Sequence, residues 1–169
     1  MTDYSLTAVS EIRNFLWENL QADKILNKNN YIADGFRKPL IPIIPTQQVP
    51  EFNNLLSGKT YIFYDYMINS YNEDYWKCNE SIMLNIVSND HAEINKIINY
   101  LVDLFRRMDD TAKDINSSAS VSDLFKYYYF YINSVSSPEP FEEEGGNQIA
   151  TVDISYQYSR QIGNNGRFV

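Results

Sequence analysis

The sequence is short of the residues that build most catalytic and metal sites. It contains one cysteine, Cys78, and one histidine, His91, among 169 residues. A single cysteine excludes an intramolecular disulfide, and a single histidine excludes a zinc site built from two or three imidazoles of one chain. Because the polar N-terminus carries no secretory signal, the lone cysteine favours a reducing compartment.

Positive charge and long apolar runs are also scarce. The chain has 14 Lys+Arg against 22 Asp+Glu, a net charge of −8. Because clustered basic residues dominate nucleic-acid affinity, this balance argues against tight DNA or RNA binding, although it suits a surface that DNA passes without sticking. No run approaches the 18 apolar residues of a membrane-spanning helix, so we expect no membrane partner.

Aromatic residues are abundant instead. Fourteen Tyr, nine Phe and two Trp make up 15% of the chain. Such residues fill either a core or a protein–protein interface. The length and the 44% hydrophobic content predict one folded domain over residues 1–160, with a proline-rich arm at 31–58 and a flexible tail at 161–169.

Two stretches have helical periodicity. The first begins near Asp3 or Ser5 and repeats apolar residues at three- and four-residue steps up to Leu20. The second begins after Asn89 or Asp90, and Asp90 with Glu93 three residues later predicts a capping box. Its apolar face holds Ile94, Ile97, Ile98, Leu101, Leu104, Phe105 and Met108.

Four β-rich runs lie at 59–68, 80–87, 125–135 and 149–158. The pattern predicts an α+β fold: a mostly antiparallel four-stranded sheet with two main helices on one face, in the order helix, arm, strand, strand, helix, strand, strand. Strand 59–68 is bulky on both faces, which predicts cover by the helices on one side and by a neighbouring subunit on the other. Prolines at 39, 42, 45 and 50 restrict the arm to an edge strand or an extended segment, packed on its own domain or on a partner.

No set of residues in the sequence predicts catalysis. Cys78 and His91 are separated by a whole predicted strand, and the acidic groups Asp109/Asp110/Asp114 and 142–144 lack the spacing of a calcium loop. We therefore expect no enzyme activity, cofactor or metal. The rival interpretation is a small intracellular enzyme or ligand-binding domain that uses His91 with Asp109 and Asp110.

Several strings resemble the tail terminator (tail completion) proteins of contractile-tailed bacteriophages. They are Pro39–Pro45 with Pro50-Glu51-Phe52, the run Gly58–Tyr66, the Tyr75-Trp76 pair, the helical run Leu101–Asp110, and the stretch from Ser137 through Gly145-Gly146 to Tyr156. The similarity extends from about residue 32 to residue 160. None of the strings is a catalytic motif.

The resemblance implies a virion structural protein at the tail–neck junction, assembled in the host cytoplasm. Such proteins form a ring, usually of six copies, that caps the tail tube, ends its polymerisation and joins it to the neck, and in contractile tails the ring also meets the sheath. A head–tail connector (stopper) or another neck or sheath-capping protein is the alternative. DNA would cross the lumen without specific binding, past an acidic loop that faces the lumen or solvent: Glu142, Glu143 and Glu144. The residues expected at subunit or partner interfaces are Leu40, Ile41, Ile43, Ile44, Phe52, Tyr64, Tyr66, Tyr75 and Trp76.

Overall fold

The computed structural model of the chain describes residues 7–32, 39–71, 77–118, 124–141 and 146–160. Within these ranges the fold is α+β, as predicted. The helices are α1 (Ala8–Asn19), α2 (Ala22–Ile25), a 3-10 helix (Thr46–Phe52), α3 (Asn53–Leu56), α4 (His91–Phe105) and α5 (Asp109–Asn116). The strands are β1 (Ile43–Pro45), β2 (Tyr61–Tyr71), β3 (Lys77–Ser88), β4 (Phe125–Val135), β5 (Glu139–Pro140) and β6 (Gln148–Arg160).

The sheet has six strands rather than the predicted four. Its order is β1-β2-β3-β6-β4, and β5 adds to the end of β6. The four predicted strands are present and antiparallel to their neighbours, but β1 and β5 are additional, and β1 pairs with β2 in parallel. The predicted element order also lacked the short helices around β1. Two- and three-residue strands rich in proline carry too little periodicity for a sequence pattern to reveal them.

Helix α1 has Thr7 as its N-cap. The predicted starting positions, Asp3 and Ser5, lie outside the described residues. The Thr7 hydroxyl accepts a hydrogen bond from the Ser10 amide, and the Ser10 hydroxyl accepts one from the Thr7 amide, both at 3.2 Å. This reciprocal pair binds the N-cap residue to the first turn, and the Ser10 amide also lies 3.1 Å from the Thr7 carbonyl oxygen, so the start of the helix is fixed.

Helix α4 follows the predicted pattern closely. Asp90 is its N-cap, with a carboxylate oxygen 2.9 Å from the Ala92 amide. The buried stripe of the helix packs on the sheet and consists of Ile94, Ile97, Leu101 and Phe105. The chain then turns at Met108, a non-glycine residue with a φ of 50°, and continues as α5 instead of extending α4.

One face of the sheet carries the main core. Helices α1, α4 and α5 all contribute buried apolar side chains to the same cluster as the inward-facing residues of β2, β3, β4 and β6. A second, small cluster lies on the other face at one end, where Ile44, Leu56, Tyr61 and Val87 are buried with Phe63 and Phe141 packed beside them. The rest of that second face has no cover among the described residues.

Only a short part of the predicted proline-rich arm is an edge strand, the β1 segment within the string Pro39–Pro45. The following segment Thr46–Phe52, which contains Pro50, is a 3-10 helix and not an extended segment. Residues Ile43, Ile44 and Pro45 pair with Ile62, Phe63 and Tyr64 of β2. Trp17 of α1 fixes the approach to this strand, since its indole N–H donates to the Ile41 carbonyl oxygen at 3.0 Å. The β1 segment of the arm thus packs on its own domain. Its pairing with β2 ends at Pro45, opposite Tyr64.

Candidate interaction surface

The open face of the sheet is the main surface that no described element covers. Its residues come from the positions of β2, β3, β4 and β6 that alternate with the core positions, as the pleat requires. Cross-strand register aligns them in two rows. One row runs Asp65–Met83–Asp153–Ser134, and the adjacent row runs Met67–Ser81–Ser155–Tyr131.

Large apolar side chains stand on these rows. Met67 is 66% exposed, Met83 is 42% exposed and Tyr131 is 54% exposed. Scattered exposed apolar residues are ordinary, but these three belong to two neighbouring rows of one face. A shallow depression of about 350 Å³ crosses the same rows. Its lining includes Met67, Met83, Asn133, Asp65 and Asp153. Methionine and tyrosine are typical of surfaces that bind other proteins.

A second groove of about 660 Å³ lies at the β2 border of the sheet. It is lined by Thr7 and Val9 at the start of α1, Pro45 at the end of β1, Gln47 of the 3-10 helix, and Tyr64 and Tyr66 of β2. The groove occurs where β1 ends, because from Asp65 onward no described strand pairs with this side of β2. It therefore joins the open face to an unpaired strand edge.

Charge on the open face is separated along the strands. Asp65 and Asp153 flank Met83 in the middle of the face. At the other end, Lys77 and Lys126 both pair across the sheet with Ser159, and their ammonium groups lie 5.0 and 5.6 Å from the centre of the Tyr128 ring. The face thus has an acidic middle and a small basic end.

The structure divides the residues predicted for an interface into three groups. Ile41, Ile43, Ile44 and Tyr64 are buried in the chain's own cores, so their side chains are not available to a partner. Leu40 is half-buried in an isolated bridge with Ile32. Phe52 and Tyr66 are exposed. The remaining predictions lie outside the described residues: Tyr75, Trp76, Glu142, Glu143 and Glu144.

The residues of the rival enzyme interpretation do not come together. His91 is exposed at the start of α4, with Nδ1 3.0 Å from the Gln148 side-chain oxygen, whereas Asp109 and Asp110 begin α5. The intervening 15-residue helix α4 spans about 22 Å. Asp110 instead lies 3.6 Å from Lys113 in an exposed pair. These groups share no site.

Cys78 and His91 are also far apart. Cys78 lies near the start of β3, and His91 follows the end of that strand, so the length of β3 separates them. The thiol is buried, and burial raises its pKa, against a smaller lowering effect of the hydrogen bond with Tyr158. A buried thiol with a raised pKa is a poor nucleophile.

A buried carboxylate, Glu80, lies next to Cys78 on the core face. Its two oxygens each accept a 2.7 Å hydrogen bond, one from the Tyr156 hydroxyl and one from the Tyr158 hydroxyl. Burial, followed by the interactions with Glu80, raises the pKa of both hydroxyls well above that of free tyrosine. This cluster was not predictable from the sequence, because its members come from two strands far apart in the chain. Glu80 bonds Tyr156 and Tyr158 inside the core, so the cluster stabilises the fold.

Glu93 has a different role from the one its position predicts. In a capping box its carboxylate would bind the Asp90 amide, but that amide donates to the Ser88 hydroxyl at 3.0 Å. The Glu93 carboxylate is instead buried and accepts four hydrogen bonds from the residue before β2, the end of β3 and the segment after α2. The donors are the Asn27 amide at 2.7 Å, the Asn30 side chain at 2.8 Å, and the Thr60 and Ser88 hydroxyls at 2.9 and 3.3 Å.

Among the described residues no group of three or more His, Cys, Asp and Glu side chains could hold a metal ion. In the same ranges no helix has the length and apolarity needed to cross a membrane. No family model matches the chain, and no curated protein matches it.

Proposed function

We propose that this chain is a structural virion protein, a tail terminator that assembles with copies of itself into a ring. The ring would cap the tail tube, end its polymerisation and join the tail to the neck. The observation that carries the proposal is the row Met67–Ser81–Ser155–Tyr131, which crosses an open sheet face and has an exposed apolar side chain at each end. A surface of this kind favours a protein that works through contacts.

Two further features support the proposal. The proline-rich string that resembles tail terminators forms β1, and the last similar string forms most of β6, so the resemblance includes the border and the centre of the sheet. The charge is the other feature, because six copies at −8 each would carry about −48 formal charges. Such a field would keep DNA from sticking to the lumen during its passage.

The proposal includes six copies, contact with the tube on one side and the neck on the other, and contact with the sheath. A connector or stopper in the neck is the alternative, because it would also be a small ring-forming domain. Electron microscopy of virions carrying labelled copies of this chain distinguishes the two. A terminator lies between the tube and the neck, whereas a stopper lies between the neck and the portal.

Native mass spectrometry of the purified chain tests the self-association directly. We expect a closed oligomer, with six copies as the leading number, at micromolar concentration. A matched pair of variants gives the control. Met67→Lys adds a charge to the open row and should reduce the oligomer, whereas Leu55→Lys changes an equally exposed residue of α3, outside the row, and should not. A wild-type chain that stays monomeric at all accessible concentrations and binds no isolated tail tubes would overturn the proposal.

A further inference from the structure

Among the described residues, the sheet is protected along only part of each of its two borders. On the β2 side, β1 pairs with Ile62–Tyr64, and beyond it the Thr46 hydroxyl donates to the Tyr64 carbonyl oxygen at 3.1 Å. On the β4 side, the Asn116 side-chain amide bonds both main-chain groups of Tyr127, at 2.8 Å each. In each case a polar side chain takes the place of a neighbouring strand, and the protection ends there.

The unprotected parts that follow are alike in length and regularity. In β2 the run Asp65–Ile68 has regular pairing up to an irregularity between Ile68 and Ser70. In β4 the run Tyr129–Ile132 is regular between two irregularities, at Tyr127/Tyr129 and Ile132/Ser134. Soluble proteins usually defend open edges with lysine, proline or bulges. Neither four-residue run contains lysine, proline or a bulge, and their only charged residue is Asp65.

The two open edges have the directions that head-to-tail pairing requires. Going from β2 through β3 and β6 to β4, each step is antiparallel, so β2 and β4 run in opposite directions. When two copies are placed side by side in the same orientation, the β4 edge of one is therefore antiparallel to the β2 edge of the next. This contact joins two different surfaces, as in a cyclic assembly.

We propose that copies of this chain join by antiparallel pairing of Asp65–Ile68 with Tyr129–Ile132 of the next copy, so that the sheets continue from subunit to subunit. This inference rests on the proposed function and names the contact that would build the ring. Alternation of faces restricts the register, because paired residues must point to the same side. Pairing Met67 with Tyr131 of the next copy satisfies that condition and extends the row Met67–Ser81–Ser155–Tyr131 across the boundary.

The side chains suit this register. Met67 would contact the Tyr131 ring, and Tyr66 would lie opposite Ile132 on the other face. In this register Tyr66–Ile68 lie opposite Phe130–Ile132, and Asp65 lies opposite the neutral Asn133 just beyond the regular run. No acidic residue occurs from Tyr129 to Val135. The contact therefore brings no like charges together. It also covers Tyr66, Met67 and Tyr131, which are among the most exposed large apolar residues of the described chain.

Engineered cysteines test the contact and its register. In a Cys78→Ala background, Met67→Cys and Tyr131→Cys together should form disulfides between copies on mild oxidation, since directly opposite strand residues have the spacing of a disulfide. Within one chain the two positions are separated by three strand spacings, about 14 Å, so an internal disulfide cannot form. We expect a series of covalent multimers whose largest member has as many copies as the closed ring. The matched control, Met83→Cys with Tyr131→Cys, places one thiol on a central strand and should give no such series.

Native mass spectrometry of the same samples separates the possible failures. A wild-type ring without crosslinks in the double variant overturns the edge contact but leaves self-association intact. Covalent dimers from Tyr131→Cys alone indicate β4–β4 pairing about a two-fold axis, which also overturns it. Absence of any ring overturns the contact and the proposed function together. Hydrogen exchange of the unmodified chain gives an independent measurement: amides of 65–68 and 129–132 should slow as the chain concentration rises, and unchanged exchange in an assembled ring contradicts the proposal.

Discussion

Asn116, the last residue of α5, is hydrogen-bonded through its side-chain amide to both the N–H and the C=O of Tyr127, at 2.8 Å in each case. The amide thus reproduces the pair of bonds that a neighbouring β-strand would make. Tyr127 is buried, and its hydroxyl donates to the Ala8 carbonyl oxygen at 2.6 Å. One residue of α5 therefore closes the first half of the β4 edge at the point where the strand meets α1.

Replacing Asn116 with alanine should destabilise the fold. The change leaves two main-chain groups of a border strand without their partner, a loss of about 1–2 kcal/mol in the free energy of unfolding. Urea unfolding followed by circular dichroism measures it. Asn133→Ala is the control, because that exposed amide on the same strand bonds only the Ser155 hydroxyl in the described contacts, and we expect less than about 0.5 kcal/mol. Equal losses in the two variants would contradict the role of Asn116.

The Glu93 carboxylate should be among the most sensitive polar groups in the chain. Glu93→Ala would remove an acceptor shared by four donors, three of them in buried hydrogen bonds. The Thr60 and Ser88 hydroxyls, 2.8 Å apart, can still bond each other, and we expect a net loss of about 2–4 kcal/mol of unfolding free energy. Glu93→Gln keeps the shape of the side chain but places an NH₂ donor against the other donors. We therefore expect its loss of unfolding free energy to lie between zero and that of Glu93→Ala. Thermal and urea unfolding measure both. Glu51→Gln, at an exposed position of the 3-10 helix, is the control and should be neutral.

Stability should fall steeply in alkali. Burial raises the pKa of Tyr127, Tyr156 and Tyr158 above that of unfolded tyrosine, about 10. Above that pH the folded state holds more protons than the unfolded state, so the unfolding free energy declines as pH rises, by up to about 1.4 kcal/mol per pH unit for each group. Below pH 9 these tyrosines are protonated in both states, so their full contribution to the unfolding free energy is present.

Tyr158→Phe should make this alkaline decline shallower by up to about 1.4 kcal/mol per pH unit. It also removes one hydrogen bond to Glu80, so the variant starts from a lower stability at neutral pH. Urea unfolding at intervals from pH 7 to pH 11 separates the two effects. A constant difference below pH 9 that narrows above pH 10 is expected, and parallel curves throughout would contradict the pKa assignment.

Tyr64 and Tyr66 should respond in opposite ways to a negative charge. Tyr64 is 5% exposed, so Tyr64→Glu should unfold the monomer, whereas Tyr66 is 49% exposed and Tyr66→Glu should leave its unfolding free energy within about 0.5 kcal/mol of wild type. If the β2 edge joins subunits, Tyr66→Glu should still reduce the oligomer. Native mass spectrometry and urea unfolding of the same preparations check both statements. A folded Tyr66→Glu chain with an unchanged oligomer mass would remove this edge from the interface.

The regular elements were predictable from the sequence where one periodic pattern ran long enough. The α4 stripe of Ile94, Ile97, Leu101 and Phe105 was correct, and the β-rich run 149–158 lies within β6. The Asp90 cap was also correct because capping depends on local chemistry.

The remaining differences come from contacts between distant parts of the chain. Tyr64 and Tyr66 look equivalent in the strand pattern, but β1 covers the edge only as far as Tyr64, and this separates a core residue from a surface residue. Glu93 has the spacing of a capping residue, yet Asn27, Asn30 and Thr60 reach it from other elements. Periodicity describes neighbours along one element, so it cannot show either effect.

The shortness of the unprotected edge has a consequence for how accurately copies would assemble. A border limited by Pro45 and Thr46 on one side and by irregular pairing on the other leaves only four residues for each contact. A single junction of that length would dissociate readily, so a misplaced copy would leave before others trapped it. A copy in a closed circle is held by two junctions at once, and this difference in lifetime would select complete circles over open chains.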